Sequence, residues 1–472
     1  MKKVSPKYVA SSMKCNFIDN SNKDIQDVSI DSRKVNEKSI FFPIIGEIND
    51  AHKFIPDVLK SGCMNIVVSD TSWAKTLTDE GVSNIFIVPD TTKALMEFAE
   101  KYFYDFKNVI KIGVTGSDGK TSTKEFLASA LLPKYKVGKT KGNLNSEYGV
   151  PLTIFDFEED IEAAVIEMGI GGTTKMDDLS KIVNPSAAII TNIGTSHLET
   201  FENREQLAIE KLKIASGFVE NEPLVINTDN DILGSDRIKE QLKKHTRLIT
   251  VGRAIDNEYR LYDICDSGID GVKCKMHVSD TIKGSSWDAN IKLKTPGVHN
   301  LYNAAEAIAM AVNLGVQAEK AVEAVCNTDI SINGKRLEII REKSCSIIND
   351  TYNASPESMI SGIEVLMNSS AKRHVAILGD MLELGDMSEE EHEKVGEYAA
   401  KIGVDLLITI GENAKGIASA AREKGLDNII EFDTLSDAKD EIKNAIEVGD
   451  MILIKASRGM RLEEITEELK CI

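Results

Sequence analysis

The chain lacks a cysteine pattern, a long apolar run and an excess of positive charge, and each absence removes a class of protein. Its seven cysteines (Cys15, Cys63, Cys265, Cys274, Cys326, Cys345 and Cys471) are odd in number, scattered and free of any C-x-x-C pair. Neither a disulfide framework nor a zinc knuckle is expected, and a reducing cytosol fits. The stretch MKKVSPKYVASSMKCNF opens with two lysines but holds no apolar segment of signal-peptide length, and no run of about 18 apolar residues occurs anywhere. A soluble, cytoplasmic protein without membrane insertion is expected. Acidic residues outnumber basic ones by 75 to 56, leaving −19, which argues against nucleic-acid binding through a basic surface. Small anionic ligands remain open through local sites. Repeats and low-complexity segments are also missing.

What is present is β-α alternation, and 472 residues are too many for one ordinary domain. Residues 1–107 alternate short β-runs (SIFFPII, NIVVSD, NIFIVPD) with short helical patterns and read as a small α/β domain. From Val109 the runs VIKIGVT, AAVIEMG, AAIITNI and PLVIN are nearly continuous in apolar character, as parallel strands covered on both faces should be. A central, doubly wound, mostly parallel sheet is expected over 108–332. Within it, 259–295 is more polar and strand-like, and Pro296-Gly297 precedes an alanine-rich helix from about His299 to Leu314. A third alternation (CSIIND, HVAILGD, DLLITIG, MILIKAS) predicts a Rossmann-like α/β domain over 333–472.

The stretch IGVTGSDGKTSTKEF, Ile112 to Phe126, carries the chemistry. Helix N-termini present unpaired N–H groups and glycines allow close backbone approach, so strand, Gly-rich loop, Lys-Thr and helix together suit a phosphate. The long form G-x-x-x-x-G-K-[ST] would need glycine where Val114 stands, so this is the shorter G-x-x-G-K-T loop, Gly116 to Thr121. Lys120 is expected on the β/γ-phosphates and Thr121 on Mg²⁺.

A metal also needs an acid at a neighbouring strand end. AAVIEMG supplies Glu167 and the loop after AAIITNI supplies His197. Alone, each is an ordinary loop residue; beside a phosphate loop both are candidate ligands. The helix of NREQLAIEKLKIASGF opens with Asn203 three residues before Gln206, a capping-box-like start. At 100° per residue Lys211 falls on one face with Leu207, Ile214 and Phe218. A lysine there ordinarily snorkels outward. If buried instead, it becomes a neutral amine able to add CO₂ as a carbamate.

Taken in order, TGSDGKT, GNLNSEYGVP, VIEMG, TNIGTSHLE, PGVHNLYNAAEA, GKRLE, NDTYNASPESM, LGDMLELG and KASRGM resemble the Mur ligases, which extend the peptidoglycan peptide with ATP. TYNASPESM and LGDMLELG resemble the member that adds D-alanyl-D-alanine to UDP-N-acetylmuramoyl-tripeptide, and the D-N-P-R motif of members taking diaminopimelate or lysine is absent. The resemblance implies that Gly116, Ser117, Asp118, Gly119, Lys120, Thr121 and Ser122 cradle ATP. It also implies one Mg²⁺ on Thr121 and Glu167, and a second held by Glu167, His197 and carbamylated Lys211. Asn303 resembles the adenine-side asparagine; Arg336 and Asp350 resemble the residues reaching phosphate and ribose from a C-terminal domain that closes on ATP and the incoming amine. Asp31, Ser32 and Arg33 resemble the signature of the UDP-sugar domain, Arg33 being suited to pyrophosphate. There the match frays: FFPIIGEINDAH carries Ile45 and Ala51 where the family has lysine and glycine. The implied reaction is ATP-dependent, ADP-forming amide synthesis through an acyl phosphate, by a monomer. Competing readings are a related ligase using another amino acid or dipeptide, including the folylpolyglutamate branch, and a non-catalytic phosphate-loop protein. The DSR segment argues against the folate branch, and the chain has no guanine-reading N-K-x-D.

Overall fold

The computed structural model describes residues 1–19, 23–46, 49–195, 200–219, 221–243, 246–280, 285–330 and 335–470. Two compact units emerge. One comprises Met1–Thr115, Lys134–Ala188 and Leu212–Glu222; the other comprises Gly116–Pro133, Ile189–Lys211 and Pro223–Ile472.

The first unit begins with β1 (Asn16–Asp19), β2 (Asp27–Ser29), β3 (Ser39–Phe41), β4 (Asn65–Val68) and β5 (Asn84–Ile87) in the order β1-β5-β4-β3-β2. β2 to β5 are parallel and β1 is an antiparallel edge. NIVV is buried at all four positions, the pattern of a strand covered on both faces. The helix Thr91–Tyr104 starts at Asp90, whose carboxylate accepts from Lys93 N–H at 2.9 Å. It turns Phe98 inward, with a ring centroid 4.6 Å from that of Phe155. Full burial of such a ring contributes about 2–3 kcal/mol. β6 (Ile110–Thr115), β7 (Val137–Lys139) and β8 (Ala163–Glu167) follow, with β8 parallel to and between the other two.

β9 (Ala187–Ile190), β10 (Glu222–Asn227), β11 (Thr246–Gly252), β12 (Tyr259–Asp266), β13 (Val272–Asp280) and β14 (Ser285–Leu293) lie side by side in chain order, and all but Ala187, Ala188 and Glu222 belong to the second unit. The polar stretch expected over 259–295 is the antiparallel β12-β13-β14 meander. The alanine-rich helix runs Val298–Asn313. The C-terminal sheet contains β15 (Glu338–Arg341), β16 (Cys345–Asp350), β17 (Arg373–Gly379), β18 (Leu406–Ile410), β19 (Ile429–Phe432) and β20 (Asp450–Lys455). Its order is β15-β16-β20-β17-β18-β19, parallel except for the edge β15. All six residues of β20 are buried, as an apolar run at the sheet centre requires. Among the described residues no helix is long and apolar enough to cross a membrane.

Candidate active site

β6 ends at Thr115, and the helix Lys120–Leu131 starts five residues later, so Gly116 to Gly119 make the turn. Gly116 has φ +151° and Gly119 φ +78°. A Cβ on Gly116 would lie 1.9 Å from Thr191 Oγ1, and one on Gly119 would lie 2.5 Å from Asn303 Oδ1. Both positions are therefore closed to side chains, one by the segment after β9 and the other by the Val298–Asn313 helix. The same segment holds the loop in shape. Ser117 N–H donates to the Asn192 carbonyl at 3.0 Å, Asp118 N–H to Asn192 Oδ1 at 2.8 Å and Gly194 N–H to Ser117 Oγ at 2.9 Å. Gly119 provides no side-chain cap, and the helix start, with Thr121 buried and Ser122 half-buried, is of the kind whose first-turn amides bind anions. Lys120 Nζ donates to the carbonyls of Gly116 at 2.8 Å and Ser117 at 2.7 Å.

Lys211 does not snorkel outward. The α-helix runs only from Arg204 to Leu212 and tightens into a 3₁₀ turn over Lys213–Ala215. Asn203 Oδ1 accepts from Gln206 N–H at 2.9 Å, the expected cap. Lys211 is 1% exposed and its Nζ donates to the Gly116 carbonyl at 3.0 Å. Two amines thus meet one loop carbonyl. Burial first, and the Lys120 charge second, push the Lys211 amine well below the ordinary lysine range.

Glu167 is 1% exposed at the end of β8. It stands level with Val114 of β6, and Met168 N–H donates to the Val114 carbonyl at 2.9 Å. The carboxylate therefore lies at the strand edge where β6 runs on into the phosphate loop. Asn145 Nδ2 donates to Oε1 at 2.8 Å, and Glu167 N–H donates to Thr140 Oγ1 at 3.0 Å. His197 lies outside the described residues. Among the described residues no three carboxylates, imidazoles or thiols form a metal cage. A buried strand-end carboxylate such as Glu167 is the kind of oxygen ligand Mg²⁺ takes, one or two from protein with the shell completed by phosphates and water.

Asn303 is buried and donates from Nδ2 to Asn300 Oδ1 at 3.1 Å, leaving its Oδ1 against Gly119. It is not the surface amide that a helix position suggests. Nor is Asp350 a surface charge. At the carboxyl end of β16 it is buried, accepts from Leu337 N–H at 3.2 Å and pairs with Lys455. Arg336 lies over the Tyr352 ring at 4.0 Å, and Arg458 lies 5.3 Å from the same ring. Asp350 ends β16, Tyr352 follows it and Arg458 follows β20, so all three stand at the carboxyl edge where open sheets bind ligands. In the first unit Ser32 lies in the turn after β2, and the 86% exposed Arg33 makes a bidentate pair with Asp31 at 2.9 Å. Its guanidinium holds the Asp31 carboxyl down to about 2.

Residues 114–311 match the Mur ligase middle domain, and residues 335–458 match the Mur ligase, glutamate ligase domain. The chain belongs to the Mur ligase family. This Mur ligase is 34% identical over 449 residues, 94% of its length and 93% of the other chain, to UDP-N-acetylmuramoyl-tripeptide–D-alanyl-D-alanine ligase of Bacillus subtilis. It is similar to a crystal structure of MurF from Acinetobacter baumannii, with TM-score 0.89 and 26% identity over the whole of both chains. It is also similar to MurF of Thermotoga maritima in complex with ADP, with TM-score 0.78, 27% identity and coverage of 94% and 97%.

The structure thus brings Gly116–Ser122, Lys211 and Asn303 of this Mur ligase together, and sets Arg336 beside Asp350 at one sheet edge. The family's phrases contain residues whose work was not legible in them. Asn192, inside TNIGTSHLE, braces the loop through both its carbonyl and its side chain, and Asn145, inside GNLNSEYGVP, orients Glu167. Glu306, in PGVHNLYNAAEA, is fully buried and was missed because a helical Glu is ordinarily exposed.

Proposed function

We propose that this Mur ligase joins D-alanyl-D-alanine to UDP-N-acetylmuramoyl-tripeptide, converting ATP to ADP and phosphate, in the cytoplasm and as a monomer. The observation that carries the reading is the likeness to the Bacillus subtilis ligase across 94% of the chain. The reading assigns 1–107 to the UDP-sugar substrate, 108–332 to ATP and 333–472 to the incoming amine. Asp31, Ser32 and Arg33 would meet the first substrate. Arg33 can exchange its pairing with Asp31 for a pyrophosphate.

A carboxylate is a poor acyl donor because its charge repels a nucleophile and oxide is a bad leaving group. The substrate carboxylate therefore attacks the γ-phosphorus of ATP, the bond to the β-phosphate oxygen breaks, and ADP departs. The amine of D-alanyl-D-alanine then attacks the acyl carbon, phosphate leaves and a proton is lost from nitrogen. The chain must hold two anions together for the first step. Lys120, swinging from the Gly116 and Ser117 carbonyls, places one positive charge on the phosphates, and the loop amides add dipoles that need no reorganisation. Asn303 would orient the base, with Arg336 and Asp350 on phosphate and ribose. Two Mg²⁺ ions, one at Thr121 and Glu167 and one at Glu167, His197 and carbamylated Lys211, would neutralise further phosphate charge. The carbamate is supported by the burial of Lys211, whose amine is held well below the ordinary lysine range; its nitrogen would add CO₂ and lose a proton. It would have to give up its hydrogen bond to Gly116.

The test is phosphate release from ATP with UDP-muramoyl-tripeptide and a panel of amines. Release is expected only with both substrates present, and fastest with D-alanyl-D-alanine. Release with neither would show an NTPase and sink the ligase reading, whereas preference for a single amino acid would move the chain to another branch.

A further inference from the structure

The helix Pro356–Met367 meets the phosphate loop through its first turn. Ser355 caps this helix in a reciprocal box with Ser358, and its Oγ also donates to the Asp118 carboxylate, 3.1 Å from each oxygen. Two residues on, the Glu357 carboxylate takes both donors of one residue. Thr195 N–H donates to Oε1 at 3.0 Å and Thr195 Oγ1 donates to Oε2 at 3.1 Å. The circuit closes through the loop, since Thr195 follows Gly194, whose N–H donates to Ser117 Oγ. One helix start therefore grips the phosphate loop at Asp118 and the strand-β9 loop at Thr195. The contact is tight, because a Cβ on Gly194 would lie 3.0 Å from Glu357 Oε1.

Asp350 ends β16 and only four residues separate it from Ser355, so whatever anchors the helix start also sets the ribose-side candidate. We propose that Glu357 is a positioning residue for the nucleotide: through Thr195, with Ser355 on Asp118, it holds the Asp350 side of the site in register with the phosphate loop. The inference rests on the ATP reading above. Two bonds from one threonine to the two oxygens of one carboxyl group are directional. A neutral helix contact would hold the surfaces together without fixing their register.

The test is titration calorimetry of ADP with Mg²⁺ on the full chain and on Glu357→Ala, Thr195→Val, the double variant and Thr195→Ser. Glu357→Ala, which removes two hydrogen bonds, is expected to weaken ADP about tenfold and Thr195→Val, which removes one, several-fold, at about 0.5–1.5 kcal/mol per bond. The double variant should be no weaker than Glu357→Ala, because both changes remove one shared contact. Thr195→Ser, which keeps the hydroxyl, should bind as the parent does. ADP affinity unchanged in Glu357→Ala, even with a lower melting temperature, would overturn the inference, as would additive losses in the double variant. Should Glu357→Ala not fold, Thr195→Val against Thr195→Ser decides by the same criterion. A parent chain that binds no ADP would overturn the ATP reading and this inference together; parent binding with insensitive variants overturns this one alone.

Discussion

Glu306→Gln isolates the electrostatics behind the phosphate loop. Glu306 is 0% exposed on the Val298–Asn313 helix, which packs on the loop's own helix Lys120–Leu131. Thr123 Oγ1 donates to Oε2 at 3.5 Å, and Oε1 has no hydrogen-bond partner among the described residues. Burial pushes the carboxyl well above the ordinary Glu range, and the Thr123 bond offsets only part of that. The folded chain therefore keeps a proton at pH values where the unfolded chain has lost it. Stability from this group is complete below the ordinary Glu value and falls as pH rises towards the folded value, by about 1.4 kcal/mol per pH unit. Gln cannot titrate. Relative to the parent, Glu306→Gln should gain about 1.4 kcal/mol for each unit from about pH 5.5 upward, until the folded pKa is passed and the difference levels. An amide N–H₂ left without an acceptor adds a pH-independent penalty of about 1–3 kcal/mol, so the slope and not the offset is the test. Urea unfolding followed by circular dichroism at half-unit intervals between about pH 5.5 and about pH 7.5 measures it. A parent–variant difference independent of pH would refute the reasoning, since it would mean that Glu306 carries no proton the unfolded chain lacks.

Gly119→Ala should fold yet lose nucleotide, because its φ of +78° costs a side chain about 1–2 kcal/mol and the new Cβ would lie 2.5 Å from Asn303 Oδ1; ADP titration that matches the parent would count against this loop geometry. Lys211→Ala should abolish phosphate release and regain part of it with added acetate, a carboxylate small enough to stand where the carbamate would; full activity without acetate would reject the carbamate. Arg373→Met should cost about 3–5 kcal/mol in urea unfolding, because Asp450, whose side chain is 1% exposed, loses the bidentate pair it makes with Arg373 at 3.0 and 2.7 Å; a loss under about 1 kcal/mol would show that water reaches the orphaned carboxylate.

Strands such as β8 and β20 were legible because a parallel strand covered on both faces must be apolar along its whole length, so AAVIE and MILIK announce themselves. The loop after β6 was legible because its geometry forbids side chains at Gly116 and Gly119. Lys211 was half legible: the helical period put it on the apolar face, but an outward-curling side chain and a buried amine have the same spacing. Tertiary packing alone decided between them, by laying that face against the Gly116 carbonyl. The same limit hid Asn192, Ser355 and Glu357. Asp118 and Ser355 are 237 residues apart in the chain and 3.1 Å apart in space, and no local pattern encodes such a distance. Periodicity and loop chemistry are properties of neighbours along the chain, so sequence carries them; burial, proton affinity and cross-strand hydrogen bonds depend on what is brought near from elsewhere, so the folded arrangement carries those.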